Sequence, residues 1–138
     1  MLKKSGELFH IDFGHFLGNV KYKFGVKRER APFVFTPSFL AILGGANSEI
    51  YQEFRDLCVQ AYNVLRRHSN LIVTLFSLML SCGIPELQKE SDMEYLKDVL
   101  VTDKSNDAAA EFFLEKLDES LNTFATVLND TFHVIRHA

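Results

Sequence analysis

Hydrophobic and polar positions change rhythm twice along the 138-residue chain. Near the N-terminus, the strand-forming run Leu8-Phe9-His10-Ile11 follows the turn chemistry of Lys3-Lys4-Ser5-Gly6-Glu7. That order predicts a short β-hairpin over residues 1–11. Residues 14–32 follow neither the two-residue period of a strand nor the ~3.6-residue period of a helix. They contain Gly14, Gly18, Gly25 and Pro32, and read as a long loop of the kind that is functional or disordered.

From Thr36-Pro37 onward the rhythm is helical. Thr36 suits the N-cap, and Pro37 suits the first helical position, where its missing N–H leaves nothing unsatisfied. This helix should span residues 37–43 and stop at Gly44-Gly45. A second should start near Ser48 and present Ile50, Phe54, Leu57, Ala61 and Leu65 on one face, with Arg55, Gln60 and Arg67 elsewhere. His68-Ser69-Asn70 should break it before the apolar run at residues 71–80 (LIVTLFSLML), expected to be a buried helix ended by Gly83 and Pro85. Ser91 with Glu94 has the form of a capping box for a helix running to about Val101.

After Asn106, the residues Phe113, Leu117, Leu121, Phe124, Leu128, Phe132 and Ile135 recur at three- and four-residue intervals without Gly or Pro. One long amphipathic helix or two abutting ones should result. The fold class predicted is therefore mainly α: a short N-terminal β-hairpin and a loop, followed by five or six packed helices.

Composition adds a bound and an asymmetry. Hydrophobic residues make up 47% and charged residues 24%, as in an ordinary globular domain with a real core. The net charge of -3 conceals a basic N-terminal part. Residues 1–36 hold seven Lys/Arg against three Asp/Glu, and residues 37–138 hold eight against fifteen. A localised anion site follows more naturally than a nucleic-acid-coating surface, because the acidic body would repel a long polyanion. Cys58 and Cys82 show no metal-ligand spacing and read as reduced core residues of an intracellular protein. No signal peptide is visible, and residues 71–80 fall short of the ~20 apolar residues a bilayer span needs.

Candidate chemistry concentrates in the loop and the strand before it. Asp12 leaves a short apolar run into Asp12-Phe13-Gly14, where Gly14 lets the backbone turn away without a Cβ clash. Its carboxylate suits a Mg²⁺ ligand bridging ATP phosphates, or a turn residue capping its own backbone. Lys21, Lys23, Lys27, Arg28 and Arg30 follow, flanked by Tyr22 and Phe24. They are either a solvated loop or a site for a phosphorylated headgroup. His10 and His15 flank the turn; His15 suits proton transfer near a phosphoryl group or a hydrogen bond to the turn. His68, His133 and His137 give no ligand pattern. The C-terminal stripe packs on the core or, at Phe124 and Phe132, rests on a membrane surface.

Taken together, residues 8–15 (LFHIDFGH) and 23–33 (KFGVKRERAPF) closely resemble the activation segment of class I phosphoinositide 3-kinase catalytic subunits. The similarity continues through residues 58–62 (CVQAY), 66–71 (RRHSNL), 75–80 (LFSLML) and 83–87 (GIPEL). It implies that the chain is the C-terminal part of a kinase C-lobe: hairpin and metal-binding turn at 1–13, activation loop at 14–36, helices at 37–138. It further implies ATP and Mg²⁺ as cofactors, with Asp12 as metal ligand, His15 assisting transfer, and Met1, Phe9 and Ile11 lining the adenine pocket. Lys21, Lys23, Lys27, Arg28 and Arg30 match the loop that recognises the phosphates of phosphatidylinositol 4,5-bisphosphate. A cytoplasmic enzyme recruited to the plasma membrane, acting on a phosphoinositide lipid beside a regulatory subunit, is the implied setting.

The family's phosphate-binding Lys, its phosphate loop and its Asp-Arg-His motif are absent from these residues, and no Trp stands where the family's tail places one. A fragment without turnover of its own is the expectation. A non-catalytic helical module that binds acidic headgroups or acidic partners is the competing one, and a chain unstable alone the third.

Overall fold

The computed structural model describes residues 3–5, 17–19, 22–23, 26–27, 31–84 and 87–137, with side chains at all of these except 22–23, 26–27 and 124–137. The expected hairpin over residues 1–11 lies outside the described residues, apart from the turn at Lys4-Ser5. Among the described residues five helices follow one another: α1 (Pro37–Ile42), α2 (Glu49–Arg67), α3 (Ser69–Met79), α4 (Glu90–Leu100) and α5 (Asn106–His137). The mainly α class and the helix count agree with the sequence pattern.

Local chemistry sets most of the boundaries. Pro37 opens α1, but the Thr36 side chain makes no capping bond, so only its extended backbone (φ -92°, ψ 161°) serves the N-terminus. The helix closes in a Schellman arrangement: Gly44 N–H donates to Ala41 O at 3.0 Å and Gly45 N–H to Leu40 O at 2.9 Å. The φ of +87° at Gly44 and +88° at Gly45 is a left-handed conformation that glycine adopts without a Cβ clash. Ser48 then caps α2, its Oγ accepting from Tyr51 N–H at 3.1 Å and donating to Gly45 O at 2.9 Å. His68 ends α2 and begins α3, donating its N–H to Leu65 O and accepting from Ile72 N–H.

At α4 the expected Ser91–Glu94 box is displaced. Lys89 is the N-cap, and the buried Asp92 carboxylate accepts from the backbone N–H of Lys89 at 3.1 Å and of Gln88 at 3.3 Å. A carboxylate satisfies two orphan donors at once and adds favourable charge at the helix N-terminus, which a Ser hydroxyl cannot do.

Among the described residues the core forms two clusters, and α5 runs through both. One joins Tyr62 of α2, Leu100 and Val101 at the end of α4, and Ala109 of α5, with Phe113 packed against it. The other joins Phe35, Tyr51 of α2 and Leu117 of α5, with Phe33, Phe54, Leu114 and Leu121 around it. The expected α5 stripe is thus seen at Phe113, Leu117 and Leu121. Arg55 of α2 pairs with Asp118 at 2.9 Å along the same seam.

Helices α2 and α3 depart from the pattern. On α2 the buried residues are Tyr51 and Tyr62, and Phe54 packs against the core as expected, whereas Ile50, Leu57 and Leu65 are 60%, 56% and 52% exposed. Tyrosine buries a large ring and still satisfies its hydroxyl: Tyr62 OH donates to Val99 O at 2.7 Å, and Tyr51 OH accepts from Arg55 at 3.3 Å. Helix α3 was expected to be buried. It carries no buried residue, and Leu71, Leu75 and Leu78 are exposed. Cys58 is half-buried, as a core thiol should be, but Cys82 is exposed beyond the end of α3 rather than in the core.

Candidate functional site

Two glycine-dependent features organise the basic loop. Leu17 and Gly18 both have positive φ (54° and 79°), so the chain reverses sharply there. Gly18 lies against α4: a Cβ at that position would fall 2.9 Å from Cδ2 of Tyr95, a contact no real side chain tolerates. Only glycine meets both conditions, and the loop entrance is therefore tied to α4.

Beyond that point the loop read as patternless contains a minimal antiparallel ladder. Strands β1 (Tyr22–Lys23) and β2 (Val26–Lys27) pair in the register Tyr22↔Lys27 and Lys23↔Val26. The pair is separated in sequence only by Phe24-Gly25, too short for a period-based reading to detect. Lys23 and Lys27, two of the five basic candidates, sit on these two strands.

The loop exit is fixed by aromatic packing. Phe35 N–H donates to Phe33 O at 3.1 Å, a tight turn that sends the two rings to different neighbours. Phe33 stacks on Phe113 of α5 with ring centroids 5.8 Å apart. Phe35 is 6% exposed and stacks on Phe54 at 5.3 Å and Tyr51 at 6.2 Å. Burying one phenyl ring contributes roughly 1.5–3 kcal/mol, so this exit is held far more firmly than a solvated loop end. The backbone is tied as well: Phe33 N–H donates to Ser120 Oγ at 3.3 Å, and Ser120 Oγ donates to Lys116 O at 2.8 Å. An open apolar cavity of about 260 Å³ remains beside this anchor, lined by Val34, Phe35, Phe39, Ile42, Leu43 and Phe54.

The remaining sequence candidates, Met1, Phe9, Ile11, Asp12, His15, Lys21, Arg28 and Arg30, lie outside the described residues. Among the described residues no three His, Cys, Asp or Glu side chains come together as a metal site, and no helix is long and apolar enough to cross a membrane. The sequence reading missed the anchors themselves. Their signal was a pair of phenylalanines, Phe33 and Phe35, between the last loop cation and Thr36-Pro37, and a serine, Ser120, beside an otherwise apolar stripe.

Two groups, buried Tyr62 and half-buried Cys58, titrate away from their ordinary values. Burial pushes the Tyr62 hydroxyl up, opposed in part by the Arg66 charge, and burial alone raises the Cys58 thiol. Neither adjoins the loop, so their shifts report on packing rather than chemistry.

Residues 1–89 match the family pattern described as phosphatidylinositol 3- and 4-kinase. The chain is 53% identical over 137 residues to "Phosphatidylinositol 3-kinase 2" of Dictyostelium discoideum, covering 99% of the chain and 7% of that protein. It is 51% identical over 138 residues to "Phosphatidylinositol 3-kinase 1" of the same organism, covering 100% of the chain and 9% of that relative. A third relative, "Phosphatidylinositol 3-kinase 3", is 44% identical over 137 residues, 99% of the chain and 8% of its own length. The chain thus spans under a tenth of the length of these relatives. With the family pattern matched over most of the chain and relatives about half identical across nearly all of it, this chain belongs to the phosphatidylinositol 3- and 4-kinase family.

Proposed function

We propose that these residues are the part of a class I phosphoinositide 3-kinase catalytic domain that holds the metal and selects the lipid. The enzyme would transfer the ATP γ-phosphate to the 3-hydroxyl of phosphatidylinositol 4,5-bisphosphate at a membrane surface, beside a regulatory subunit. The observation that carries this reading is the family match across residues 1–89 together with a basic box, Lys27-Arg28-Glu29-Arg30, in a loop tied at both ends.

The donor set fits the groups implied. Asp12 offers the hard carboxylate oxygen that Mg²⁺ prefers, and Met1, Phe9 and Ile11 offer apolar surface suited to a purine. Mg-ATP, when bound, supplies the phosphoryl group and the charge that stabilises its departure. His15, one residue past the Asp-Phe-Gly turn, is the group assigned to assist the hydroxyl proton. Lys21, Lys23, Lys27, Arg28 and Arg30 would supply the cations for the headgroup phosphates, where two extra phosphates call for several. The chain contains no Asp-Arg-His sequence. One metal ligand without the Asp-Arg-His catalytic loop or a phosphate-clamping Lys does not assemble the transition state, so the 138 residues alone should show no turnover.

A segment swap tests this directly. The aligned residues of the Dictyostelium phosphatidylinositol 3-kinase 2 would be replaced by this chain, and the product identified by headgroup analysis. The expected result is 3-phosphorylated phosphatidylinositol 4,5-bisphosphate, with Asp12→Asn abolishing transfer while vesicle binding persists. A swapped enzyme that folds and binds ATP but transfers nothing, or an Asp12→Asn variant that keeps its rate, would refute the assignment. The second result would favour the non-catalytic binding module.

A further inference from the structure

We propose that Ser120 is a positioning residue for the basic loop: from α5 it fixes the loop exit at Phe33, so that α5 sets how the loop is presented to lipid. The consequence for lipid rests on the function proposed above; the anchoring itself does not. Ser120 is fully buried, and its single oxygen serves two masters. It donates to Lys116 O at 2.8 Å, the back-bond common for helical serines, which orients its lone pairs away from the helix. One of those lone pairs then accepts from Phe33 N–H at 3.3 Å, across 87 residues of sequence.

Phe33 stands three residues past Arg30, the last cation of the loop, and six past Lys27 on β2. Nothing in helix stability requires a hydroxyl at position 120, since alanine has the higher helix propensity. What does require it is the loop's backbone: without the hydroxyl, Phe33 N–H loses the Ser120 acceptor in a part-buried setting. The Phe33–Phe113 stack holds the same junction from about two turns earlier on α5. Backbone and ring are thus both tied to one helix, and any tilt or shift of α5 is passed to the loop exit.

The test compares the full chain with Ser120→Ala, Ser120→Thr and Ser120→Cys. Amide hydrogen exchange is followed by NMR, and affinity is measured for vesicles of phosphatidylcholine doped with phosphatidylinositol 4,5-bisphosphate. Vesicles of equal charge made with phosphatidylserine serve as the comparison. Ser120→Ala should speed exchange at Phe33 by about three- to tenfold, and at Tyr22 and Lys27 by a smaller factor. Exchange in α4 should stay within about twofold. Affinity for the phosphoinositide vesicles should fall several-fold. Ser120→Thr, which keeps the hydroxyl, should restore both. If Ser120→Ala does not fold, Ser120→Cys keeps nearly the same volume with a weak acceptor and should give the same pattern.

Unchanged exchange at Phe33 in the alanine or cysteine variant overturns the proposal. So does a loss spread evenly over α2, α4 and α5, which marks a purely structural role. If the unaltered chain prefers neither vesicle, the lipid reading fails, and the Phe33 exchange still decides the anchoring.

Discussion

Arg66 gives the sharpest quantitative prediction about what holds this fold together. Its guanidinium has five N–H groups, and each has an acceptor. Nε donates to Leu100 O at 2.9 Å; one terminal nitrogen donates to Val101 O at 3.2 Å and to Lys104 O; the other donates to Asn63 Oδ1 at 3.0 Å and Asn106 Oδ1 at 2.9 Å. Three of the acceptors are backbone carbonyls around the C-terminal end of α4, where a helix has unpaired C=O groups and negative dipole charge. The same place holds Val101 at φ +39°, a left-handed conformation that costs a β-branched residue about 1–2 kcal/mol. Arg66 therefore offsets a strained cap while linking α2 to the α4–α5 connection.

The bonds to Asn106 and Lys104 are exposed and can be replaced by water, whereas those to Leu100, Val101 and Asn63 are part-buried. At about 1 kcal/mol for each part-buried bond, Arg66→Ala should cost roughly 3 kcal/mol. Arg66→Lys keeps the charge but cannot reach three directions from one nitrogen, and should cost roughly 2 kcal/mol. For a chain of this size that corresponds to melting-temperature drops of about 12 °C and 8 °C. Urea denaturation followed by circular dichroism measures both, and hydrogen exchange at Val101 and Lys104 should show the α4–α5 connection opening first. A lysine variant within about 0.5 kcal/mol of the unaltered chain would refute the idea that guanidinium geometry, rather than charge, does this.

Further expectations rest on single features. Leu117 is 1% exposed between Phe35 and Tyr51, so Leu117→Ala should cost about 3–4 kcal/mol in the same urea assay; a loss under about 1 kcal/mol would contradict the assigned core. Thiol labelling should be biphasic, with exposed Cys82 reacting fast and half-buried Cys58, its thiol pushed up by burial, at least about tenfold slower; a single rate for both would count against the burial. Tyr62 and Cys58 both titrate above their ordinary values of 10.0 and 9.0. The unfolded chain releases these protons first as pH rises, so their stabilising effect is complete below pH 9 and declines once the pH passes 9 and then 10. Tyr62→Phe should flatten the decline above pH 10, and an unchanged slope would show that Tyr62 is not its source.

Helix ends were largely legible because they depend on local chemistry. Pro37, the Gly44-Gly45 pair, Ser48 and the α5 stripe each act within a turn or two of their own position. Facing was less legible. A hydrophobicity pattern ranks Ile50, Leu57 and Leu65 above Tyr51 and Tyr62, yet the tyrosines bury more area and find partners for their hydroxyls. The exposed leucines of α3 show the same limit: apolar content marks a surface that disfavours water without naming what covers it. The loop ladder escaped notice because four paired residues carry no period, and the tie from Ser120 to Phe33 because its partners lie 87 residues apart. Of the candidate site, the order of the acid and the cations was visible in the sequence, while the anchoring of the loop required three dimensions.

In the proposed function, the basic loop of this segment chooses a polyphosphorylated lipid. The most direct test of that choice is the substrate ratio of the swapped kinase, measured with the loop intact and with Lys27→Ala, Arg28→Ala and Arg30→Ala combined. The account predicts that turnover of phosphatidylinositol 4,5-bisphosphate relative to unphosphorylated phosphatidylinositol falls at least about tenfold, since each lost charge-assisted bond is worth roughly 1.5–3 kcal/mol. Turnover of phosphatidylinositol itself should change little. An unaltered ratio would contradict the account and move the source of lipid choice away from this loop.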